Sequence, residues 1–165
     1  MIFITENLLV RRLVLEDLKG FHELESNPKV LKYATGNPKV FSENEKELKE
    51  LIFKYSLAKN DFWIYAVERK IDLEFIGTVA LVKDNLDDEI GYRFLEKYWK
   101  LGYGSEICKG LISYCKKIGL KKIVAHVVDE NKASAKILEN NKFKIVKKFI
   151  SDDIKLPETK YELKF

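Results

Sequence analysis

The 165-residue sequence predicts one α/β (α+β) domain, a mixed and mostly antiparallel sheet of about seven strands with helices on both faces. Three observations predict it. Short alternating or continuous apolar runs recur along the chain. Three of them, between residues 62 and 94, are separated only by charged turn residues, as in an antiparallel meander. The second half then alternates strand, helix, strand, helix, strand, which brings helices over a mixed sheet. No repeat, low-complexity tract or Pro/Gly-rich linker interrupts the chain, so residues 1–165 read as a single domain.

Leu8–Leu13 is the first strand, and Leu15, Leu18, Phe21 or His22, and Leu24 follow at helical spacing over 15–25. Asn37-Pro38 marks a turn. Ser42 to Glu45 then reads as a capping box opening a helix with apolar positions Leu48, Leu51, Ile52 and Tyr55. Strands near Phe62–Glu68, Glu74–Val82 and Asp88–Phe94 come next. A helix from about Gly104 to Lys117 places Ile107, Leu111, Tyr114 and Cys115 on one side, and Gly119 stops it. Lys122–Val128 is a β-branched strand and 131–141 a short helix. Phe143–Phe149 and Lys160–Phe165 are the last strands.

Composition excludes several classes. Apolar residues at 46% exclude a disordered chain, and the apolar runs fall far short of the ~20 residues of a membrane span. Met1 to Glu6 has no basic flank or cleavage site, so a cytoplasmic protein is expected. The net charge of +4 is carried by lysine, with only Arg11, Arg12, Arg69 and Arg93 as arginines. With no groove-reading motif either, no nucleic-acid partner is expected. Cys108 and Cys115 fit neither metal spacing nor a disulfide framework and read as buried thiols; no metal is expected. His22 and His126 lack a sequence partner that suggests nucleophilic catalysis, so both are assigned to packing or surface.

Two segments hold chemistry. Trp99, Lys100, Leu101, Gly102, Tyr103, Gly104 and Ser105 lie between a strand and a helix. There, glycines let backbone amides converge and the helix start favours a pyrophosphate. Ile107 and the absence of Gly-Lys-Ser/Thr exclude the Rossmann and P-loop fingerprints. Asn131 and Ser134 open the next helix, and the intervening strand brings both helix starts to one sheet edge. Read alone, Asn131 is an N-cap.

Taken together, Glu89 to Tyr92, Tyr98 to Glu106, and Asn131 to Ser134 with Leu138, Glu139 and Phe143 resemble the GNAT N-acetyltransferase superfamily, in particular its RimJ/RimL-type branch. Thr5 to Leu8, Arg11, Glu16-Asp17, Asn27-Pro28 and Ile76-Gly77 are similar to that branch too, so the resemblance spans nearly the whole chain. Trp99 stands where the superfamily usually has Gln or Arg, Lys142 where it has Gly, and Leu138 where many members have an acidic tyrosine.

The resemblance implies a splay between the fourth and fifth strands and direct acetyl transfer from acetyl-CoA to a primary amine, either a protein N-terminus or a small molecule. Coenzyme A is the product. It implies that backbone groups of Tyr92, Arg93 and Phe94 hold the pantetheine, that residues 99–105 hold the pyrophosphate, and that Asn131 and Ser134 lie beside the chain and sulfur. Ser134 is expected to hydrogen-bond the leaving thiolate. Glu89, then Glu158, are expected as the base that deprotonates the ammonium. A homodimer is compatible with this reading. A non-catalytic acyl-CoA-binding regulatory module is the alternative.

Overall fold

The computed structural model describes residues 1–165 and arranges eight strands in one open sheet, in the order β1-β2-β3-β4-β5-β6-β8-β7. The strands are β1 (Phe3–Ile4), β2 (Leu8–Arg12), β3 (Phe62–Arg69), β4 (Glu74–Asp84), β5 (Asp87–Phe94), β6 (Lys122–Val128), β7 (Lys144–Ile150) and β8 (Pro157–Lys164). The helices are α1 (Leu18–Glu25), α2 (Pro28–Leu31), α3 (Phe41–Lys54), α4 (Tyr103–Lys117) and α5 (Lys132–Asn140). The strand beyond the expected seven is β1, whose two residues are too few to show alternation. No helix is long and apolar enough to cross a membrane.

Side-chain alternation separates two layers of core. Ile90 and Phe94 of β5 and Ile123, Ala125 and Val127 of β6 join Ile107, Cys108, Leu111 and Cys115 of α4 in the larger cluster. A smaller cluster lies beneath the other layer, where Phe21 of α1 and Leu48 and Leu51 of α3 meet Leu13 and Ala66. Burial pushes both Cys108 and Cys115 thiols up to about 12, consistent with inert packing groups.

Every neighbouring strand pair is antiparallel except β5 and β6, which run parallel and register only at Glu89 opposite Val124. Beyond that point the two strands part. Their carboxyl ends therefore border a gap, and each runs on into a helix start, of α4 and α5 respectively.

Gly77 fixes how β4 lies on β5. Ile76 is an extra residue between the partners of Val67 and Glu68, and the bulge presses Gly77 onto β5. A Cβ at Gly77 would stand 2.0 Å from the Arg93 carbonyl oxygen, a backbone atom that can yield only if β5 moves. Gly77→Ala is expected to cost about 1–3 kcal/mol in a thermal melt. Gly91→Ala, whose nearest neighbour would be the Ala80 Cβ at 3.9 Å, serves as the mild control.

Long-range polar contacts seat α4. Glu106 accepts hydrogen bonds from the Thr5 hydroxyl, from the Asn7 amide at 2.7 Å and from Asn7 Nδ2 at 3.0 Å. Burial raises the Glu106 carboxyl pKa, but these donors outweigh it and the net shift is downward. Gly110 admits the same segment, since a Cβ there would lie 2.7 Å from Thr5 and 2.8 Å from Phe3. On the other layer, Arg11 donates to both oxygens of buried Asp17 and to Glu68, while Asp17 also accepts from the Val14 amide.

One local expectation needs correction. The cap of α3 lies two residues earlier than Ser42: the helix starts at Phe41, and Glu43 accepts from the Val40 amide at 2.9 Å. Val40 supplies no side-chain cap, so this is half of a capping box. At the end of α5, Lys142 takes φ of 70°, the left-handed turn for which a glycine is better suited. The turn forms despite the missing glycine.

Candidate active site

The gap between β5 and β6 brings the sequence-predicted groups to one place. Its upper end is the loop 99–105. Lys100 and Gly102 both have positive φ, 61° and 85°, and Gly102 is the N-cap of α4. The first helical bond runs from the Glu106 amide to the Gly102 carbonyl at 3.1 Å. The amides of Tyr103, Gly104 and Ser105 therefore have no earlier carbonyl within the helix, and they carry the positive end of its dipole. Of the lysines around the loop, Lys97 is paired with Glu74 and Glu23, whereas Lys100 and Lys109 make no ion pair. Asn27 and Lys29 donate at 3.0 and 2.6 Å to Glu96, which opens the short turn just before the loop.

Three of the expected contacts are already partly committed. The Trp99 indole donates to the Phe94 carbonyl at 2.8 Å, which anchors the loop and occupies that oxygen. Arg93 turns its guanidinium away from α4 to the buried Glu25 carboxylate of α1, at 2.8 and 3.1 Å, so only its backbone faces the gap. Asn131 is the N-cap of α5: its oxygen accepts from the Ser134 amide at 3.3 Å, and its Nδ2 bonds nothing within the chain.

Tyr92 projects from β5 between the two helix starts. A Cβ on Gly104 would meet its ring at 3.4 Å and Ile137 at 3.2 Å. The hydroxyl is buried and lacks a hydrogen-bond partner of good geometry. Burial drives its pKa well above the ordinary phenol range, helped by the Cys108 thiol, and the nearby Ser134 hydroxyl pulls weakly the other way. The two hydroxyls and the glycine of α4 thus converge where the strands part.

On the opposite face of the sheet, Glu89 stands at the closed end of the gap. Its carboxylate is not alone: His126 Nδ1 lies 3.2 Å from Glu89 Oε1, and His126 Nε2 lies 3.8 Å from Asp84 Oδ2. His126 is packed against Phe149, as the packing assignment expects, and it also has carboxylate neighbours that its place in the sequence does not reveal. His22 keeps a structural role against Asn44 and Phe41. Glu158 is the second residue of β8, registered opposite Val128 and Phe149 rather than sitting in a turn, so it shares the His126 face. Burial raises its pKa, with Asp153, Glu89 and Asp129 adding to the rise and His126 opposing it. Glu158 forms no ion pair. Most of the acidic run 84–89 is neutralised within the chain. Asp88 pairs with Lys83, and Asp87, held by Lys122 and Lys160, falls to about 2.

At its carboxyl ends the splayed parallel strand pair lies beside a helix start suited to an anion. Residues 7–144 match the model of the acetyltransferase (GNAT) domain, so the chain belongs to the GNAT family and is an acyltransferase. It is 30% identical over 143 residues to the N-acetyltransferase p20 of Bacillus licheniformis, covering 84% of this chain and 80% of that one. The fold is similar to RimL, the ribosomal L7/L12 alpha-N-protein acetyltransferase solved with coenzyme A, with a TM-score of 0.84 at 16% identity over 99% and 97% of the chains. It is also similar to the spermidine N-acetyltransferase of Vibrio cholerae solved with CoA and spermine, with a TM-score of 0.81 at 20% identity over 96% and 95%.

Proposed function

We propose that the protein is an acetyl-CoA-dependent N-acetyltransferase that moves the acetyl group directly to a primary amine, a protein N-terminus or a small-molecule amine. The observation that carries this is the single-register pairing of β5 with β6, which leaves a slot running from Glu89 to the open amides of α4. The residues suit coenzyme A. The amides of 103–105 with Lys100 and Lys109 offer sites for its phosphates, and the unpaired edge of β5 at Tyr92 and Arg93 offers backbone partners for an amide-bearing arm. The thioester supplies an activated acetyl carbon.

The chain's own groups do the rest. A preorganised amide beside the acetyl oxygen stabilises developing charge. Ser134 donates to the departing sulfur from the first turn of α5, and the buried Tyr92 hydroxyl beside it gives that serine a fixed neighbour. An ammonium has no lone pair, so a proton acceptor on the Glu89–Glu158 face is required. The acceptor enters from that face, between Tyr33, which donates to Glu130 at 3.1 Å, and the β7–β8 loop, whose Ile154 lies beside Gly36. A cytoplasmic setting and a homodimer are compatible with this chemistry.

Thermal melts with acetyl-CoA test the reading. At a hundredfold excess over Kd the ligand should stabilise the fold by about 2.7 kcal/mol, a rise of about 5–10 °C. A panel of primary amines and short peptides, read by mass, should show an acetyl adduct. No stabilisation together with no acetyl-CoA consumption on any amine would refute it.

A further inference from the structure

One feature of the gap is unlike a carboxylate base acting alone. His126 lies two residues beyond Val124, the last β6 residue in register with β5, so its ring sits where the strands have begun to part. It points to the same face as Glu89, because Val124, His126 and Val128 alternate with the α4-facing Ile123, Ala125 and Val127. Its Nδ1 meets Glu89 Oε1 at 3.2 Å. Its Nε2 is 3.8 Å from Asp84 Oδ2, beyond a direct hydrogen bond, and the side chain keeps 19% of its surface exposed. Phe149 of β7 packs edge-on against the ring with centroids 5.7 Å apart and fixes its tilt.

A carboxylate on Nδ1 holds the imidazole in the tautomer whose Nε2 carries the lone pair, which is the arrangement of an oriented imidazole base. We propose that His126 is the proton acceptor of the transfer and that Glu89 is its positioning residue, reversing the role expected of Glu89 from the sequence. The proposal rests on the acetyl-transfer reading given above.

The step balances. The ammonium gives one proton to His126 Nε2, and the freed amine nitrogen bonds the acetyl carbon. The carbon–sulfur bond breaks, and the nitrogen's second proton passes to the thiolate by way of the Ser134 hydroxyl, leaving the neutral amide and the coenzyme thiol. The resulting imidazolium is held between Glu89 and Asp84, then releases its proton to water through its exposed edge.

The charged neighbours are consistent with such a base. Glu89 from β5 and Asp84 from β4 favour the imidazolium, and Glu158 from β8 adds negative charge. Lys160, paired across from His126 in β8, opposes it but is bound to Asp87 at 2.6 Å. The result is a His126 pKa above its ordinary 6.5, raised first by the Glu89 hydrogen bond, against burial, and then by the charges of Glu89 and Asp84. A base poised nearer the working pH transfers protons more effectively.

The chain has only two histidines, so NMR titration of the ring protons resolves His126 directly, with His126→Gln identifying its line. The wild-type line should titrate above 6.5 and move down in Glu89→Gln. In turnover, kcat/KM should rise through the same pH. His126→Gln should remove that limb and reduce kcat by about 10²–10⁴-fold, while the acetyl-CoA-induced melting shift persists. Glu89→Gln should keep a limb displaced to lower pH, whereas Glu158→Gln should leave its position nearly unchanged.

A wild-type limb retained in His126→Gln, or one abolished in Glu89→Gln or Glu158→Gln, would overturn the proposal. So would a His126 line titrating at or below 6.5, even with acetyl transfer intact. A raised His126 line with neither acetyl-CoA stabilisation nor acetyl transfer would refute the acetyl-transfer reading and leave the Glu89–His126 pair standing as structure alone.

Discussion

Gly102→Asp is expected to lower acetyl-CoA affinity at least ~100-fold, about 2.7 kcal/mol, while the fold survives. Gly102 is the N-cap of α4 with φ of 85°, and nothing lies within 4 Å of a Cβ built there. A side chain therefore meets no clash and pays only left-handed backbone strain, which Asp and Asn tolerate better than other residues. The charge is the decisive change. A carboxylate beside the amides of Tyr103, Gly104 and Ser105 competes for the donors that a pyrophosphate needs and repels its negative charge. Gly102→Asn carries the same strain without the charge, so calorimetric titration of both variants separates the effects. Equal affinities for the two would remove the anion site from this loop.

Arg11→Ala is expected to be the most destabilising single change, by about 3–5 kcal/mol, with a melting point lower by about 10 °C or more. Asp17 is 5% exposed, and Arg11 binds both of its oxygens, at 2.7 and 2.8 Å, while also reaching Glu68. Burial acts against the guanidinium, but the Asp17 and Glu68 hydrogen bonds hold its pKa far above ordinary. Removing it leaves two carboxylates close together, one of them buried, with a single amide from Val14 on Asp17. Arg11→Lys should recover only part of the loss, because an ammonium cannot fork to two carboxylates and the Arg12 carbonyl together. A melt of Arg11→Ala within about 2 °C of wild type would show that Asp17 finds compensation elsewhere.

Strands and long helices were readable because alternation and helical periodicity are local signals. The exceptions are physical. Two-residue β1 has no period, and the start of α3 was misplaced because Ser42 resembles a cap while the bond is made by Glu43 to Val40. The loop 99–105 was legible through its glycines and its place between strand and helix. The commitments of Trp99 to the Phe94 carbonyl and of Arg93 to Glu25 were not, since they depend on which way each side chain turns across the sheet. His126 is the clearest case. Its partner lies 37 positions earlier, and only the β5–β6 register at Glu89 and Val124 makes them neighbours. A lone histidine in an apolar strand carries no sequence trace of that register. Glu158 was named, but its placement within β8 comes from pairing with β6 and β7.

The docking of residues 5–7 onto Glu106 has a kinetic consequence. These contacts span 99 to 101 positions of chain, so the segment that emerges early in synthesis waits for one made much later. Closing so long a loop is slow relative to forming α4 itself, which needs only neighbours in sequence. The helix can therefore exist before it is seated, and its amino end is aimed at the gap only once the β1–β2 hairpin has closed over it. Seating of α4 is in this sense expected to be a late folding event, governed by the bonds that residues 5 and 7 make to Glu106 in its first turn.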